Sequence, residues 1–284
     1  MTRIRSQPRA NKPVMVMLHG SGSSGTIFGI QTHFIAKELS KNYHLVFLDA
    51  PTPSLPGPGV LPLFADMDGY YRWLTTTDSQ ASATMHLVEL LNVARHIQTE
   101  LDFQGINASR VEAMLGFSQG ALVAMAMLGL GHMAQSPWEN LRFCISIAAG
   151  ASGNEKLLVG IQDMMSMLSR AVGREDGKFP AHIVHAAGMK DVWYRDGKCI
   201  ANMCAPETSA TVDYRDGHVV PRQKDDVTRL LRAIASVDQK SKQTITGMKD
   251  MPSASLDLLP SVLSGGEATP RLALLREHGW KEAV

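Results

Sequence analysis

Short apolar runs alternate with longer amphipathic segments along most of the chain. The runs predict strands at Val14–Leu18, His44–Leu48, Val111–Phe117 and residues 143–148, 181–186 and 211–214. Between them, helical spacing of apolar residues predicts helices at 28–39, 81–103, 121–130, 156–172 and 223–237. Strands that are apolar on both faces are typical of buried parallel sheets. The pattern therefore predicts an α/β fold: a mostly parallel, doubly wound sheet with helices on both faces.

The predicted strand Val111–Phe117 runs into Gly116-Phe117-Ser118-Gln119-Gly120 and then into a helix of small residues. A strand, a G-x-S-x-G pattern and a helix in this order are the context of a nucleophile elbow, which lifts a serine hydroxyl above the sheet edge. The pattern predicts Ser118 as the nucleophile and the backbone N–H of Gln119 as a donor to an oxyanion. G-x-S-x-G also occurs by chance on ordinary turns, so a matching acid and histidine are needed.

A second oxyanion donor is predicted in the glycine-rich loop that follows the first strand, His19-Gly20-Ser21-Gly22-Ser23-Ser24-Gly25. The loop lacks the lysine and the glycine spacing of a phosphate-binding loop. In α/β-hydrolases the loop after an early core strand supplies the second N–H. We expect that donor to be Ser21, with Gly22 as the alternative, and we interpret His19 as a structural residue.

The acid and the base are predicted on two later loops. Asp191 follows the strand at 181–186, and Asp196 is a nearby competitor that lies further from the strand end. His218 follows the strand at 211–214, with a glycine before it that lets the loop bend. Serine, acid and histidine in this chain order match α/β-hydrolases, which argues against Asp49 as the acid.

The segment at 51–62 is rich in proline and glycine and predicts an irregular loop at the catalytic edge of the sheet. The aromatic residues Tyr70, Tyr71 and Trp73 follow it. They either line an acyl or aromatic pocket or pack the loop against the domain, and we carry them as candidate substrate-binding residues. The methionine-rich helix at 156–172 is interpreted as core, with a lid or pocket wall as the alternative.

Composition narrows the class of protein. Of 284 residues, 44% are hydrophobic and 19% charged, with a net charge of +1, which indicates a globular protein without a global field for nucleic acid or membranes. Three irregularly spaced cysteines argue against a disulfide framework and favour a reducing compartment, so we expect a cytoplasmic protein. His182 and His185 would face opposite sides of a strand, and neither a metal nor a cofactor is expected.

The character of the chain changes after Asp238. Residues 239–249 are polar and lysine-rich and predict a linker. Short apolar clusters follow at 253–263 and 271–280. We therefore predict a hydrolase domain at 1–238 and a tail at 239–284 made of a linker and short helical segments.

Residues from about 12 to 237 resemble the fungal FSH serine hydrolases, a group of α/β-hydrolases. The motifs that carry the resemblance are Leu18-His19-Gly20-Ser21-Gly22, Asp49-Ala50-Pro51, Gly116-Phe117-Ser118-Gln119-Gly120-Ala121, Gly188-Met189-Lys190-Asp191 and Gly217-His218-Val219-Val220-Pro221. The chain departs from the family pattern after Asp191, where Val192-Trp193-Tyr194 stands in place of a proline or a small turn. The resemblance implies an α/β-hydrolase sheet with a small loop or helix lid.

Gly57-Pro58-Gly59-Val60-Leu61-Pro62, together with Tyr70-Tyr71-Arg72-Trp73, is similar to the family branch found in polyketide biosynthetic clusters. The resemblance implies a serine hydrolase that cleaves acyl thioesters or esters and releases or trims a polyketide, with an acyl carrier protein as a possible partner. Three alternatives stay open: an esterase or lactonase that acts on a free metabolite, a cyclising enzyme, and a non-catalytic binding protein with this fold. The sequence does not determine the oligomeric state.

Overall fold

A computed structural model describes residues 12–67, 69–75, 83–132, 136–150, 155–171 and 174–249. The described strands are β1 (Val14–Leu18), β2 (His44–Leu48), β3 (Thr52–Pro53), β4 (Tyr71–Arg72), β5 (Val111–Phe117), β6 (Phe143–Ile147), β7 (His182–Gly188) and β8 (Ser209–Tyr214). Six of them form one sheet in the order β2-β1-β5-β6-β7-β8, and every pairing in it is parallel. β3 and β4 form a separate antiparallel pair inside the proline-rich loop.

The described helices are α1 (Gly25–Gln31), α2 (His33–Leu39), α3 (Ala83–Phe103), α4 (Gln119–Gly131), α5 (Glu155–Ala171), α6 (Tyr194–Asn202) and α7 (Lys224–Lys249), with a 3₁₀ turn at Ala108–Arg110. α1, α2 and α7 bury apolar side chains on one face of the sheet, and α3, α4, α5 and α6 bury theirs on the other. The α/β-hydrolase sheet predicted from the sequence is confirmed.

The central strands are apolar because both of their faces are covered. On β1, Val14 and Val16 join one core and Met15 and Met17 join the other, and all four side chains are fully buried. Side chains alternate across a strand, so a strand covered on both faces needs apolar residues at every position. The continuous apolar runs in the sequence reflect this two-sided burial.

The chain order reverses between β1 and β5, since β2 lies on one side of β1 and all later strands of the sheet lie on the other. Ligands of open α/β sheets bind at the carboxyl ends of the strands, at such a switch point. The loops that follow β1, β5, β7 and β8 all leave the sheet at this edge, and they carry Ser21, Ser118, Asp191 and His218, respectively.

Two predicted segments differ from the structure by more than two residues. The helix predicted at 28–39 is divided at Thr32, whose hydroxyl donates to the Phe28 carbonyl at 2.6 Å. The helix predicted to end at 237 continues as α7 to Lys249, through the segment predicted as a linker. Ser241 on this continuation is fully buried, and the hydroxyl of Thr244 lies 3.0 Å from His182 Nε2.

The division into a domain at 1–238 and a tail stays a prediction, and residues 250–284 lie outside the described residues. Of the methionines on α5, Met165 is buried in the core, while the side chains of Met164 and Met167 also lie outside what is described. None of the helices in the described ranges combines the length and apolarity that crossing a bilayer requires.

Candidate active site

Ser118 lies on a strained turn between β5 and α4. Its backbone has φ 54° and ψ −119°, a conformation that costs a non-glycine residue free energy and is found mostly at functional sites. The turn closes so tightly that a Cβ atom on Gly116 would lie 2.1 Å from the Gly120 carbonyl oxygen. A Cβ on Gly120 would in turn lie 2.3 Å from the Leu18 carbonyl oxygen. Glycine is therefore required on both sides of the serine.

The structure brings Ser118, His218 and Asp191 into one hydrogen-bonded chain. His218 Nε2 lies 2.9 Å from Ser118 Oγ, and His218 Nδ1 lies 2.8 Å from Asp191 Oδ2. A carboxylate accepts a hydrogen bond, so Nδ1 carries the proton and Nε2 is left to accept the proton of the serine hydroxyl. This is the tautomer that a general base next to serine needs.

The turn after β7 holds the Asp191 carboxylate in place. Asp191 Oδ1 accepts from the backbone N–H of Trp193 at 2.9 Å, while Oδ2 faces the imidazole. The other candidate acid, Asp196, lies in the first turn of α6. Gly188 allows the loops after β7 and β8 to approach, since a Cβ on Gly188 would lie 2.3 Å from the Gly217 carbonyl oxygen.

Two aromatic rings enclose the imidazole of His218. The Trp193 ring lies edge to face with it at a centroid distance of 4.4 Å, and the Phe117 ring is tilted at 5.0 Å. Neither residue was predicted from the sequence to belong to the site. The signal available for Trp193 was its place in the segment that departs from the family pattern after Asp191.

The two expected oxyanion donors border the serine. Gln119 is the first residue of α4, so its N–H is one of those that a helix leaves without an intrahelical acceptor. Among the described residues, the N–H of Ser21 has no hydrogen-bond partner either. The N–H of Gly22, the alternative donor, is already taken by the Tyr71 carbonyl at 2.8 Å. The hydrogen bonding thus favours Ser21 over Gly22.

His19 supports this loop from inside the protein. Its Nδ1 donates to the Gly20 carbonyl at 2.7 Å, and its Nε2 accepts from the N–H of Ala50 at 3.0 Å. Burial lowers the pKa of His19 to about 4, so the ring is neutral at physiological pH. A Cβ on Gly20 would lie 3.4 Å from Ser118 Cβ, which places the loop directly beside the serine. These contacts agree with the structural interpretation of His19.

The three aromatic candidates for substrate binding have different surroundings. Trp73 is only 1% exposed and donates from Nε1 to the His19 carbonyl at 2.8 Å, contacts that fit the alternative in which it packs the loop against the domain. Tyr70 is half-buried and donates its hydroxyl to the Phe64 carbonyl at 2.6 Å. Tyr71 pairs through its backbone with Ser23. For all three residues the assignment to substrate binding stays a prediction.

Within the residues that the structure describes, no group of three or more histidine, cysteine, aspartate or glutamate side chains is placed to hold a metal ion. The chemistry that the site offers is that of its serine, imidazole, carboxylate and backbone N–H groups. Together they can generate a serine nucleophile and stabilise the oxyanion that forms when it attacks a carbonyl group.

Comparison with known proteins adds three fungal relatives. A probable esterase, azaC, from Aspergillus niger is 28% identical over 274 residues, which cover 94% of this chain and 95% of the relative. The thioesterase FSL2 from Gibberella zeae is 26% identical and covers 79% of this chain and 92% of its own. The dihydromonacolin L-[lovastatin nonaketide synthase] thioesterase from Aspergillus terreus is 33% identical over a shorter match, 46% of this chain and 51% of the relative.

A family model described as serine hydrolase (FSH1) matches residues 9–230, which include β1 to β8, the elbow at Ser118 and the loops that carry Asp191 and His218. The match extends over most of the chain, and the resemblance inferred from the sequence motifs is confirmed. The chain belongs to the FSH1 family of serine hydrolases.

Proposed function

We propose that Ser118, His218 and Asp191 are the catalytic triad of this serine hydrolase, and that the N–H groups of Ser21 and Gln119 form its oxyanion hole. The observation that carries the proposal is the continuous hydrogen-bonded chain from Ser118 through His218 to Asp191, at 2.9 and 2.8 Å. These distances permit proton transfer from the hydroxyl to the imidazole without rearrangement. The strained serine turn supports the same assignment.

In the first half of the reaction, Ser118 Oγ attacks the acyl carbonyl carbon while His218 Nε2 takes its proton. Asp191 holds the Nδ1 proton and stabilises the imidazolium that forms. The oxyanion accepts hydrogen bonds from the two backbone N–H groups, and His218 returns the proton to the departing alcohol or thiol. In the second half, His218 activates a water molecule, which attacks the acyl-enzyme and releases the acid.

We infer that the acyl group is apolar, because exposed apolar side chains lie on the two segments that border the site. The loop at 54–67 contacts the oxyanion loop through a hydrogen bond from the Gly57 N–H to the Gly22 carbonyl at 2.9 Å, and the other segment contains Asp191. Exposed apolar side chains beside a binding site are typical of surfaces that take up apolar ligands. On these two segments the exposed ones are Leu55, Leu61, Leu63, Met189 and Val192.

We propose that the substrate is an acyl thioester of polyketide type, presented by an acyl carrier protein. We also propose that the protein acts in the cytoplasm. The Gibberella and Aspergillus terreus relatives are named as thioesterases, which supports this substrate class. A carboxylesterase or lactonase that acts on a free metabolite is the second candidate, which the name of the Aspergillus niger relative favours. The oligomeric state has no bearing on either chemistry, since all three triad residues come from one chain.

Labelling by a fluorophosphonate probe tests the triad. We expect Ser118→Ala to abolish both labelling and turnover, while Ser40→Ala, at an exposed serine on the amino side of β2, leaves both unchanged. Asp191→Asn should lower kcat by about a thousandfold or more, since the imidazole loses its correct tautomer. Asp196→Asn is the matched control and should stay within threefold of the parent. Undiminished labelling of Ser118→Ala would refute the proposal, and so would equal losses for the two aspartates.

A comparison of substrates tests the acyl group. A pantetheine-length thioester and short aryl esters, each with acyl chains from two to ten carbons, separate thioester release from free-ester hydrolysis. The double variant Leu55→Ser/Leu63→Ser should lose most activity on the longest chains and keep activity on acetyl substrates. Phe103→Ser is the control, because Phe103 is 68% exposed at the end of α3, close to the start of β5 and so at the other edge of the sheet. Chain-length preference that is the same in both variants would contradict an apolar acyl site here.

A further inference from the structure

The side chain of Gln119 makes a set of hydrogen bonds that the reaction itself does not require. Its Oε1 accepts from the N–H of Trp73 at 2.7 Å and from the N–H of Leu74 at 3.1 Å. Its Nε2 donates to the Leu74 carbonyl at 2.9 Å. The carboxamide thus pairs with residues 73–74 as a neighbouring strand would, directly after β4 ends. These contacts join residues 45 and 46 positions apart in the sequence.

The same short segment holds the oxyanion loop. The carbonyl of Tyr71 accepts from the Gly22 N–H at 2.8 Å, and the Tyr71 N–H donates to Ser23 at 2.7 Å. The indole of Trp73 donates to the His19 carbonyl at 2.8 Å. Residues 71–74 are therefore bonded to the loop on both sides of Ser21, and through Gln119 they are bonded to the elbow as well.

We propose that the Gln119 carboxamide is a positioning residue that fixes the separation between the two oxyanion donors. The backbone N–H of Gln119 is one donor, and Ser21 carries the other on a loop that is held by residues 71–74. The side chain of Gln119 closes the connection between them. An oxyanion hole is effective only when its donors are already placed around the developing charge, so a rigid connection between the two donors favours the transition state. The inference rests on the proposed function of Ser118.

A carboxamide is the chemistry that this connection needs. The Trp73–Leu74 backbone presents two donors and one acceptor to it, and a carboxamide offers the complementary acceptor and donor. A glutamate at position 119 would accept from both N–H groups, but its carboxylate would face the Leu74 carbonyl oxygen without a proton to share. A methionine would fill the same volume and make none of the three bonds. These two substitutions keep the backbone N–H of residue 119 and alter only its side chain.

The test compares Gln119→Met and Gln119→Glu with the parent and with Gln104→Met, a control at an exposed glutamine after α3. Four quantities are measured: kcat, KM, the inhibition constant of an alkylboronic acid, and the concentration of active sites titrated by a fluorophosphonate. The boronic acid forms a tetrahedral adduct with the serine and places a hydroxyl in the oxyanion hole. It therefore reports on the placement of the donors independently of the turnover of substrate.

Both Gln119 variants should lose about ten- to a hundredfold in kcat per active site, somewhat less than removal of a donor. The boronic acid should bind more weakly by a similar factor, with KM within threefold of the parent and Gln104→Met unchanged throughout. Variants with fewer active sites but the parent's kcat per site and boronate affinity would overturn the proposal, because that result describes a purely structural glutamine. Failure of the proposed function would look different: the parent itself would not be labelled at Ser118.

Discussion

At the residue scale, the site depends on positions that have no room for a side chain. A Cβ on Gly120 would lie 2.3 Å from the Leu18 carbonyl oxygen and 2.5 Å from that of His19. Both neighbours are backbone atoms at the start of the oxyanion loop, so they cannot turn aside as a flexible side chain can. A substitution here disturbs the elbow and the loop opposite it together.

We expect Gly120→Ala to destabilise the protein by about 3 kcal/mol, at the upper end for overpacking, and to lower kcat. Gly29→Ala is the matched control, because its added Cβ would meet Phe47 at an ordinary 3.8 Å. Gly29 lies inside α1, where alanine is favoured over glycine by roughly 0.5–1 kcal/mol, so this variant should gain stability. Urea denaturation of both variants gives the comparison, and a Gly120→Ala protein as stable as the parent would contradict the tight contact.

Trp193 was not predicted from the sequence motifs, and its ring contacts the proposed base, His218. Its ring packs edge to face against the His218 imidazole at a centroid distance of 4.4 Å, and its backbone N–H donates to the Asp191 carboxylate. Aromatic pairs of this kind contribute about 0.5–1.5 kcal/mol beyond their buried area. The ring restricts the imidazole to the orientation in which it bonds both Ser118 and Asp191.

We expect Trp193→Ala to lower kcat by about three- to tenfold, in line with the loss of one aromatic contact. Trp193→Phe should retain most of the parent's kcat, because an aromatic ring still packs against His218 and the backbone N–H to Asp191 is unaltered. The measurement is kcat on an aryl ester, with active sites titrated in each preparation. Equal kcat values for all three proteins would show that the ring does not orient the base.

At the element scale, α7 is fixed to the amino edge of the sheet by one buried arginine. The Arg142 side chain is 5% exposed and pairs with Glu112 at 2.9 Å and with Asp238 at 2.5 Å. It also donates to the hydroxyls of Ser241 and Tyr43, at 2.5 and 2.8 Å. This single guanidinium therefore connects β5 with the second half of α7 and with the chain between α2 and β2, next to the start of β6.

Arg142→Met should cost about 3 kcal/mol, because the partly buried Asp238 carboxylate loses its buried partner and keeps only Lys242, at 3.2 Å, whose side chain is exposed to solvent. Arg174→Met is the control: Arg174 pairs at the surface with Asp176 and Glu207, where water screens both charges. We expect that variant to unfold at nearly the parent's urea concentration. If the two arginine variants unfold at the same concentration, the buried network does not stabilise α7.

The kind of contact that holds each element explains whether the sequence predicts that element. β5 was predicted from Val111 to Phe117, as the structure has it, because burial on both faces leaves a continuous apolar run. The continuation of α7 was missed because it is held by polar groups, Ser241 against Arg142 and Thr244 against His182, which produce no apolar periodicity. Hydrogen bonds between residues far apart in sequence have no local signal.

The candidate site also has one part that the sequence predicts and one part that it does not. Ser118, Asp191 and His218 were predicted to lie together because each follows a strand in a recognisable local pattern, and parallel strands bring their carboxyl ends to one edge. The burial of Trp73 and the side-chain bonds of Gln119 depend on how residues 69–75 fold back over the sheet. That path is set by contacts with distant backbone, such as the bond from Trp73 to His19, and no pattern within the loop reveals it.

At the scale of the whole molecule, several histidines are buried in the neutral form. Burial lowers the pKa of His19 and of His185 to about 4, and it lowers the pKa of His182 as well. Lys198 adds to the effect on His185, and Asp49 opposes it at His19. Since an exposed imidazole has a pKa near 6.5, the unfolded chain binds protons that the folded chain does not bind between pH 6.5 and about 4.

Stability should therefore fall as the pH is lowered through this window and level off above it. At pH 5, His19 and His185 should each reduce the free energy of unfolding by on the order of 1–2 kcal/mol relative to pH 7.5. His185→Leu removes one of these two groups. The contribution of the pair to the change in the free energy of unfolding between pH 7.5 and pH 5 should therefore fall by about half. His33→Gln, at an exposed histidine on α2, is the control for loss of an imidazole in solvent. A parent protein equally stable in urea at both pH values would mean that these buried rings do not remain neutral in the fold.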